Sequence, residues 1–285
     1  MSNIDTSLVG GWGGKIDASL EPEFHLTMCW VKGEAMKLTG NTIFITGGTS
    51  GIGRALAEAL HKLDNQVIIS GRRKGHLDEV TAANPGMQSL ELNVEDPASI
   101  AAVAAKLIAG YPKLNVLINN AGIMKMDDAA AAMDDAQMVS ILTTNLMGPI
   151  RMTSALIEHL KQQPEAAVIH VTSGLAFTPL AMTSVYCATK AALHSYAMSQ
   201  RFKLKGTSVK VLEIAPPWVQ TELMGPQQAN EPRAMPLQDF IEETIQVLGA
   251  DADEVLVERV KMLRDNPGPN EWAFVDKFND MMAGH

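Results

Sequence analysis

From residue 41 onward the apolar positions of the chain fall into two alternating rhythms. Short runs rich in β-branched and aliphatic residues occupy 42–46, 66–70, 89–92, 116–119, 168–171 and 209–214. These runs read as near-continuous apolar stretches instead of in/out alternation, the pattern of parallel strands covered by helices on both faces. The stretches between them space apolar residues three and four apart, as in 52–62, where Ile52, Leu56, Ala59 and Leu60 share one helical face. Strand and helix alternate six times. The prediction is an α/β fold: a single doubly wound parallel sheet of six to seven strands with helices on both faces. A seventh run at 254–258 reads either as a short strand or as the continuation of a helix.

Residues 1–35 do not share this rhythm. They hold five acids, two lysines and a Gly-Gly-Trp-Gly-Gly stretch, with no apolar core of signal-peptide length. Met36 stands just before the periodic part begins, so 1–35 is expected to be a flexible extension or a start-site artefact. The competing reading is a segment docked on a partner subunit. No linker or repeat divides 36–285, which is read as one domain.

Composition narrows the function classes. Of 285 residues, 46% are hydrophobic and 19% charged, which excludes a disordered or collagen-like chain. A net charge of -9 argues against a nucleic-acid partner, because phosphate backbones are met by basic faces. No run approaches the roughly 18 apolar residues of a spanning helix, so no membrane association is expected. Cys29 and Cys187 are the only cysteines; they make neither a disulfide framework nor a metal cluster, and the seven histidines show no metal spacing. A reducing, cytoplasmic location fits that usage.

Chemistry first appears at 46–53, Thr-Gly-Gly-Thr-Ser-Gly-Ile-Gly, between the first strand and the first helix. Gly47 permits a tight exit from the strand, Gly51 a close approach of backbone to a pyrophosphate, and Gly53 close packing of the helix. Thr49, Ser50 and Ile52 complete a turn whose helix N-terminus faces the phosphates, a Rossmann-type nucleotide site. The second strand ends in Ser70-Gly71-Arg72-Arg73, where an NAD site would place an acid on the ribose hydroxyls. Two guanidinium groups suit a 2'-phosphate, so NADP(H) is favoured and NAD(H) remains the alternative. Further on, Tyr186 and Lys190 are four apart and share one helix face, where a cation favours the phenolate.

The TGxxxGxG loop, Asn119-Asn120-Ala121-Gly122 and Tyr186-Cys-Ala-Thr-Lys190 together resemble the short-chain dehydrogenase/reductase family, over about 38–223. The run 114–124 and the stretch 254–264 look like its DltE-like subgroup. The resemblance implies a catalytic tetrad of Asn145, Ser173, Tyr186 and Lys190. In it Tyr186 exchanges a proton with a carbonyl or alcohol oxygen that Ser173 also holds. Lys190 binds the nicotinamide ribose, and Asn145 shapes a helix whose carbonyl orders a water for proton relay. It also implies adenine contacts at Asn93 and Val94, with Asn in place of the usual Asp, and ribose-side contacts at Asn120, Ala121 and Gly122. Pro216, Val219 and Thr221 match the segment that grips the carboxamide, but Pro217 replaces the family's glycine and removes a backbone N–H.

On the substrate side, 221–248 is expected to carry a mobile lid, and Leu175, Phe177, Met182, Trp218, Leu223 and Met224 to line an apolar pocket. Cys187 and His170 read as buried structural residues. Methionine-rich helix faces around 138–152 and at Met198 read as core filler, and the resemblance implies a homodimer or homotetramer. The expected function is NADP-dependent interconversion of a small carbonyl compound and a secondary alcohol. The rivals are the NAD-linked version and a non-catalytic nucleotide sensor.

Overall fold

A computed structural model describes residues 35–284. Strands β1 (Thr42–Ile45), β2 (Gln66–Gly71) and β3 (Gln88–Glu91) are linked by helices α1 (Gly51–His61) and α2 (Lys74–Ala83). Helix α3 (Pro97–Gly110) leads to β4 (Leu114–Asn119). Helices α4 (Asp135–Leu142) and α5 (Gly148–Leu160), joined by a π-helical turn at Thr143–Met147, lead to β5 (Ala166–Val171). The long α6 (Ser184–Lys203) precedes β6 (Val209–Ile214), and α7 (Leu237–Leu248), β7 (Glu254–Val255), α8 (Glu258–Arg264) and α9 (Glu271–Ala283) follow. The seven strands form one sheet in the order β3-β2-β1-β4-β5-β6-β7, every adjacent pair parallel.

The continuous apolar runs have a direct physical origin. Successive residues of a strand face opposite sides of the sheet, and here both sides are covered. Ile43 and Ile45 of β1 point into a core closed by Leu56 and Leu60 of α1 and by Phe240 and Ile241 of α7. Phe44, between them, joins a second core with Leu107 of α3 and with Met152 and Leu156 of α5. All three β1 side chains are fully buried. Truncation of Phe44 to Ala is worth about 3–5 kcal/mol on the usual scale for buried aromatics.

The uncertain seventh run resolves into a two-residue strand pairing Val255 with Ile214, then the start of α8 at Glu258. Helix α7, expected within a lid over 221–248, buries Phe240, Ile241 and Leu248 against the sheet. It is a core layer, so only the loop before it lies over the site. The expectations for residues 1–34, Cys29 among them, fall outside the described residues. Among the described residues no helix is long and apolar enough to cross a membrane.

The chain runs outward from β1 to β3, then returns across β1 to β4. The reversal leaves a crevice beyond the carboxyl ends of β1 and β4, where doubly wound sheets bind ligands.

Candidate functional site

A cavity of about 780 Å³ fills that crevice. Gly47 takes φ 69° and Gly51 φ 52°, the left-handed turn that brings the loop back under the cavity. Gly53 is required by space: a Cβ there would lie 2.2 Å from Asn120 Nδ2 and 2.3 Å from the Gly47 carbonyl. From sequence, Gly53 is expected to serve close packing of helix on sheet. The closest neighbours are instead a side chain and the loop itself.

Asn120 locks the arrangement. Its Nδ2 donates to the carbonyls of Thr46 (3.0 Å) and Gly47 (3.1 Å), while Thr46 Oγ1 accepts from the backbone N–H of Asn120 (3.0 Å) and Ala121 (3.1 Å). Helix α1 begins after Ser50, whose side chain makes no cap bond, so the orphan N–H groups of its first turn stay available to an anion. Arg72 and Arg73 line the cavity beyond. Arg72 lies 3.8 Å from Glu95, whereas Arg73 has no ion-pair partner among the described residues. Asn93 also lines this end, with its Oδ1 accepting from the Glu95 N–H at 3.2 Å.

At the other end Ser173, Tyr186 and Lys190 line the same cavity. Ser173 follows β5, and Tyr186 and Lys190 stack one turn apart on α6, the ammonium 5.6 Å from the phenol ring centre. Lys190 Nζ donates to the Val171 carbonyl at 2.8 Å. Burial lowers its pKa to about 8, with the buried carboxylate of Glu213 pulling it back up. Burial pushes the Tyr186 phenol above its ordinary value, and the hydrogen-bonding hydroxyl of Ser173 draws it down. Desolvation sets the direction of this shift, and the neighbouring cation expected from sequence to lower the phenol is not among its causes. The raised pKa favours the protonated phenol, the state a proton donor needs.

Asn145 stands apart. It is fully buried behind the cavity wall, in the π-helical turn. Its side chain bonds both the N–H (2.9 Å) and the carbonyl (2.8 Å) of Ile123 and reaches Thr189 Oγ1 at 3.3 Å. Pro149, four residues on, has no N–H, so the Asn145 carbonyl lacks its α-helical donor.

The cover comes from 216–228. Pro216, Pro217, Val219 and Thr221 all line the cavity. Buried Gln228 ties this loop together: its Nε2 donates to the Val219 carbonyl (2.8 Å) and Thr221 Oγ1 (3.1 Å), and its Oε1 accepts from Met224 N (3.0 Å). The family model described as short chain dehydrogenase matches residues 41–232. The chain belongs to the short-chain dehydrogenase family. It is 40% identical over 234 residues to the uncharacterized oxidoreductase DltE of Bacillus subtilis, covering 81% of this chain and 93% of that one. A short chain dehydrogenase from Burkholderia cenocepacia solved with NADP superposes with a TM-score of 0.75 at 24% identity, over 85% of this chain and 98% of that one. A family member from Burkholderia phymatum solved with NAD gives 0.72 at 19% identity, over 88% and 97%.

Within this short-chain dehydrogenase, every expected cofactor-side residue from Gly47 to Thr221 lines the cavity, and of the four tetrad positions only Asn145 lies behind it. Among the expected pocket residues Phe177 does not line it. Its ring meets His194 edge-on at 4.9 Å and lies under the Arg264 guanidinium at 4.8 Å. Two groups escaped the sequence reading. Glu213, fully buried on β6, accepts from Thr172 Oγ1 (2.6 Å) and pairs with His194 Nδ1 (2.7 Å). Its signal was an acid inside a largely apolar strand run. His194, Glu213 and Glu254 bring ligand-type atoms within 4.8 Å of one another, but Thr172, His194 and a two-pronged Arg264 already occupy these carboxylates. The second group is the apolar face of α9, Phe278, Met281 and Met282, which walls the cavity.

Proposed function

We propose that this oxidoreductase reduces a carbonyl compound to the corresponding alcohol, a secondary alcohol where the substrate is a ketone, with NADPH. The observation that carries the reading is the convergence on one cavity of a buried Tyr186 beside Ser173 and Lys190 with the glycine turn and Arg73. The residues suit the dinucleotide: a helix N-terminus without a side-chain cap for the pyrophosphate, and, in Arg73, a guanidinium with no ion-pair partner among the described residues for a 2'-phosphate. When bound, the cofactor supplies hydride from its nicotinamide ring. Tyr186 donates the proton to the carbonyl oxygen, and the Ser173 hydroxyl holds that oxygen. Lys190 holds the ribose side and keeps positive charge beside the phenolate left behind. The Asn145 carbonyl, released by Pro149, supplies an acceptor for a proton path behind Lys190.

Exposed Val139 and Leu142 on α4 and Phe202 on α6 support a homo-oligomer, which light scattering on the purified chain tests. The function is tested by following NADPH absorbance across aldehydes and ketones. Carbonyl-dependent oxidation that vanishes in Tyr186→Phe, with NADPH still bound, is the expected result. Tight NADPH binding with no turnover on any carbonyl would return the molecule to a nucleotide sensor.

A further inference from the structure

Helix α9 presents a puzzle of packing. It has no fully buried residue, so it contributes little to either core, and Trp272 and Met281 are largely exposed. Yet it is fastened. Asn279 Oδ1 accepts from the Ala181 N–H (2.6 Å), and its Nδ2 donates to the Pro179 carbonyl (3.1 Å), clamping α9 onto the loop that leads into α6 and Tyr186. Phe278 and Met282, four apart on one face, are thereby held against the cluster of Leu180, Tyr186 and Cys187. Met224 of the cover packs on the same cluster. An apolar face that adds almost nothing to the core, but closes a cavity beside the reactive phenol, is accounted for by a ligand.

The charges around this end narrow the ligand. Arg233 is engaged by Glu231 (2.8 Å) and lies over the Trp218 ring at 5.1 Å, and Arg259 donates to the Arg233 carbonyl at 2.8 Å. Lys125 and Glu222 are exposed at the rim. Among the described residues, Lys190 is the one buried cation lining this end, and it is held by the Val171 carbonyl, whereas Lys125, Arg233 and Arg259 line the cavity from exposed positions. An acid group beside the reacting carbon would be buried without a dedicated partner.

We propose, building on the reductase reading, that the substrate is an uncharged carbonyl compound with a medium-length aliphatic tail, gripped between Met224 and the Phe278–Met282 face of α9. Methionines on both sides of the tail give a pliable wall that accepts chains of differing bend.

The test is the dependence of kcat/KM on chain length for unbranched aldehydes and 2-ketones of four to ten carbons with NADPH, beside their ω-carboxylate counterparts. Each added methylene should raise kcat/KM about threefold to fourfold until the pocket is filled, and a terminal carboxylate should lower it at least ~10-fold. Phe278→Ala and Met282→Ala should flatten the chain-length slope while NADPH affinity stays within about twofold. A flat slope in the native protein, or a preference for the carboxylates, overturns the proposal. If no carbonyl compound is turned over, non-reducible alkyl amides of the same lengths are titrated onto the protein–NADP⁺ complex by calorimetry. Affinity that rises with chain length and falls in Phe278→Ala keeps the tail pocket while the reductase reading fails. Absent or length-independent binding overturns the pocket itself.

Discussion

The two ends of the cavity are made of different material. The nucleotide end is mostly backbone: a left-handed turn at Gly47, an uncapped α1 N-terminus, and an asparagine holding two loop carbonyls. The substrate end is mostly side chain, delivered by elements far apart in sequence, from Leu180 through Met224 to Met282. A backbone-built end tolerates few substitutions and serves one ligand class. A side-chain-built end can be re-lined without disturbing the sheet. The proposed proton donor, Tyr186, sits between the two on α6, where neither end alone controls it.

Substitutions can break this contrast in order of size. Tyr186→Phe, at the junction, should lower kcat by about 10³-fold or more while NADPH binds as before, since only the proton donor is lost. Steady-state kinetics and a fluorescence titration read the two effects separately. At the backbone-built end, Gly53→Ala should cost about 3 kcal/mol or leave the protein unfolded, because its Cβ would overlap Asn120 and the Gly47 carbonyl. Urea unfolding would show it; a stable variant with native NADPH affinity would mean the loop yields more than the packing allows.

His170 lies on β5, fully buried, with Nε2 2.9 Å from Gln200 Oε1. Burial depresses its pKa to about 4 from the usual 6.5. Above pH 6.5 the ring is neutral in both folded and unfolded chains. As pH falls below 6.5 the unfolded chain takes up a proton that the folded one refuses, so stability declines until pH reaches about 4. The loss attributable to this ring is on the order of 3 kcal/mol, visible as the difference between the pH-dependent unfolding of the native protein and that of His170→Gln. Equal slopes in the two would remove His170 as the cause.

Smaller effects separate the ends further. Replacing Arg72 and Arg73 by Ala should weaken NADPH by about 10–100-fold and NADH far less, the scale of one or two charge-assisted contacts. Parallel losses would show that the pair has no special bearing on the 2'-phosphate. Smallest is Gln228→Ala, which frees the Val219 carbonyl and the Met224 N–H. It should cost about 1–2 kcal/mol in thermal stability and raise KM for the carbonyl substrate more than it lowers kcat.

Legibility followed the same division. Strands such as 43–45 were readable because a side chain has no polar option when both faces of a sheet are covered. The glycine turn and the Tyr186–Lys190 pair were readable because backbone geometry and helix pitch confine them to fixed spacings. Phe177 was misplaced because an apolar residue just past a strand looks the same whether it faces a cavity or, as here, the His194 ring. The α7 helix was drawn into the lid because the polar loop before it carried the signal, while its own core face needed the sheet to be seen. Helix α9 was missed outright. Its apolar spacing is ordinary, and only the Asn279 clamp, about a hundred residues from its partners in sequence, assigns it to the site.

The Asn120 grip on Thr46 and Gly47 ties the first turn of the nucleotide loop into adjoining strand ends. That turn therefore opens only when the sheet does, and its two strand-bonded amides, Thr46 to the Ile118 carbonyl and Gly48 to that of Ser70, should exchange hydrogen as slowly as those of β1 and β4. An arriving phosphate meets a loop whose conformational entropy was already surrendered during folding, so little of its contact energy is diverted into ordering the protein.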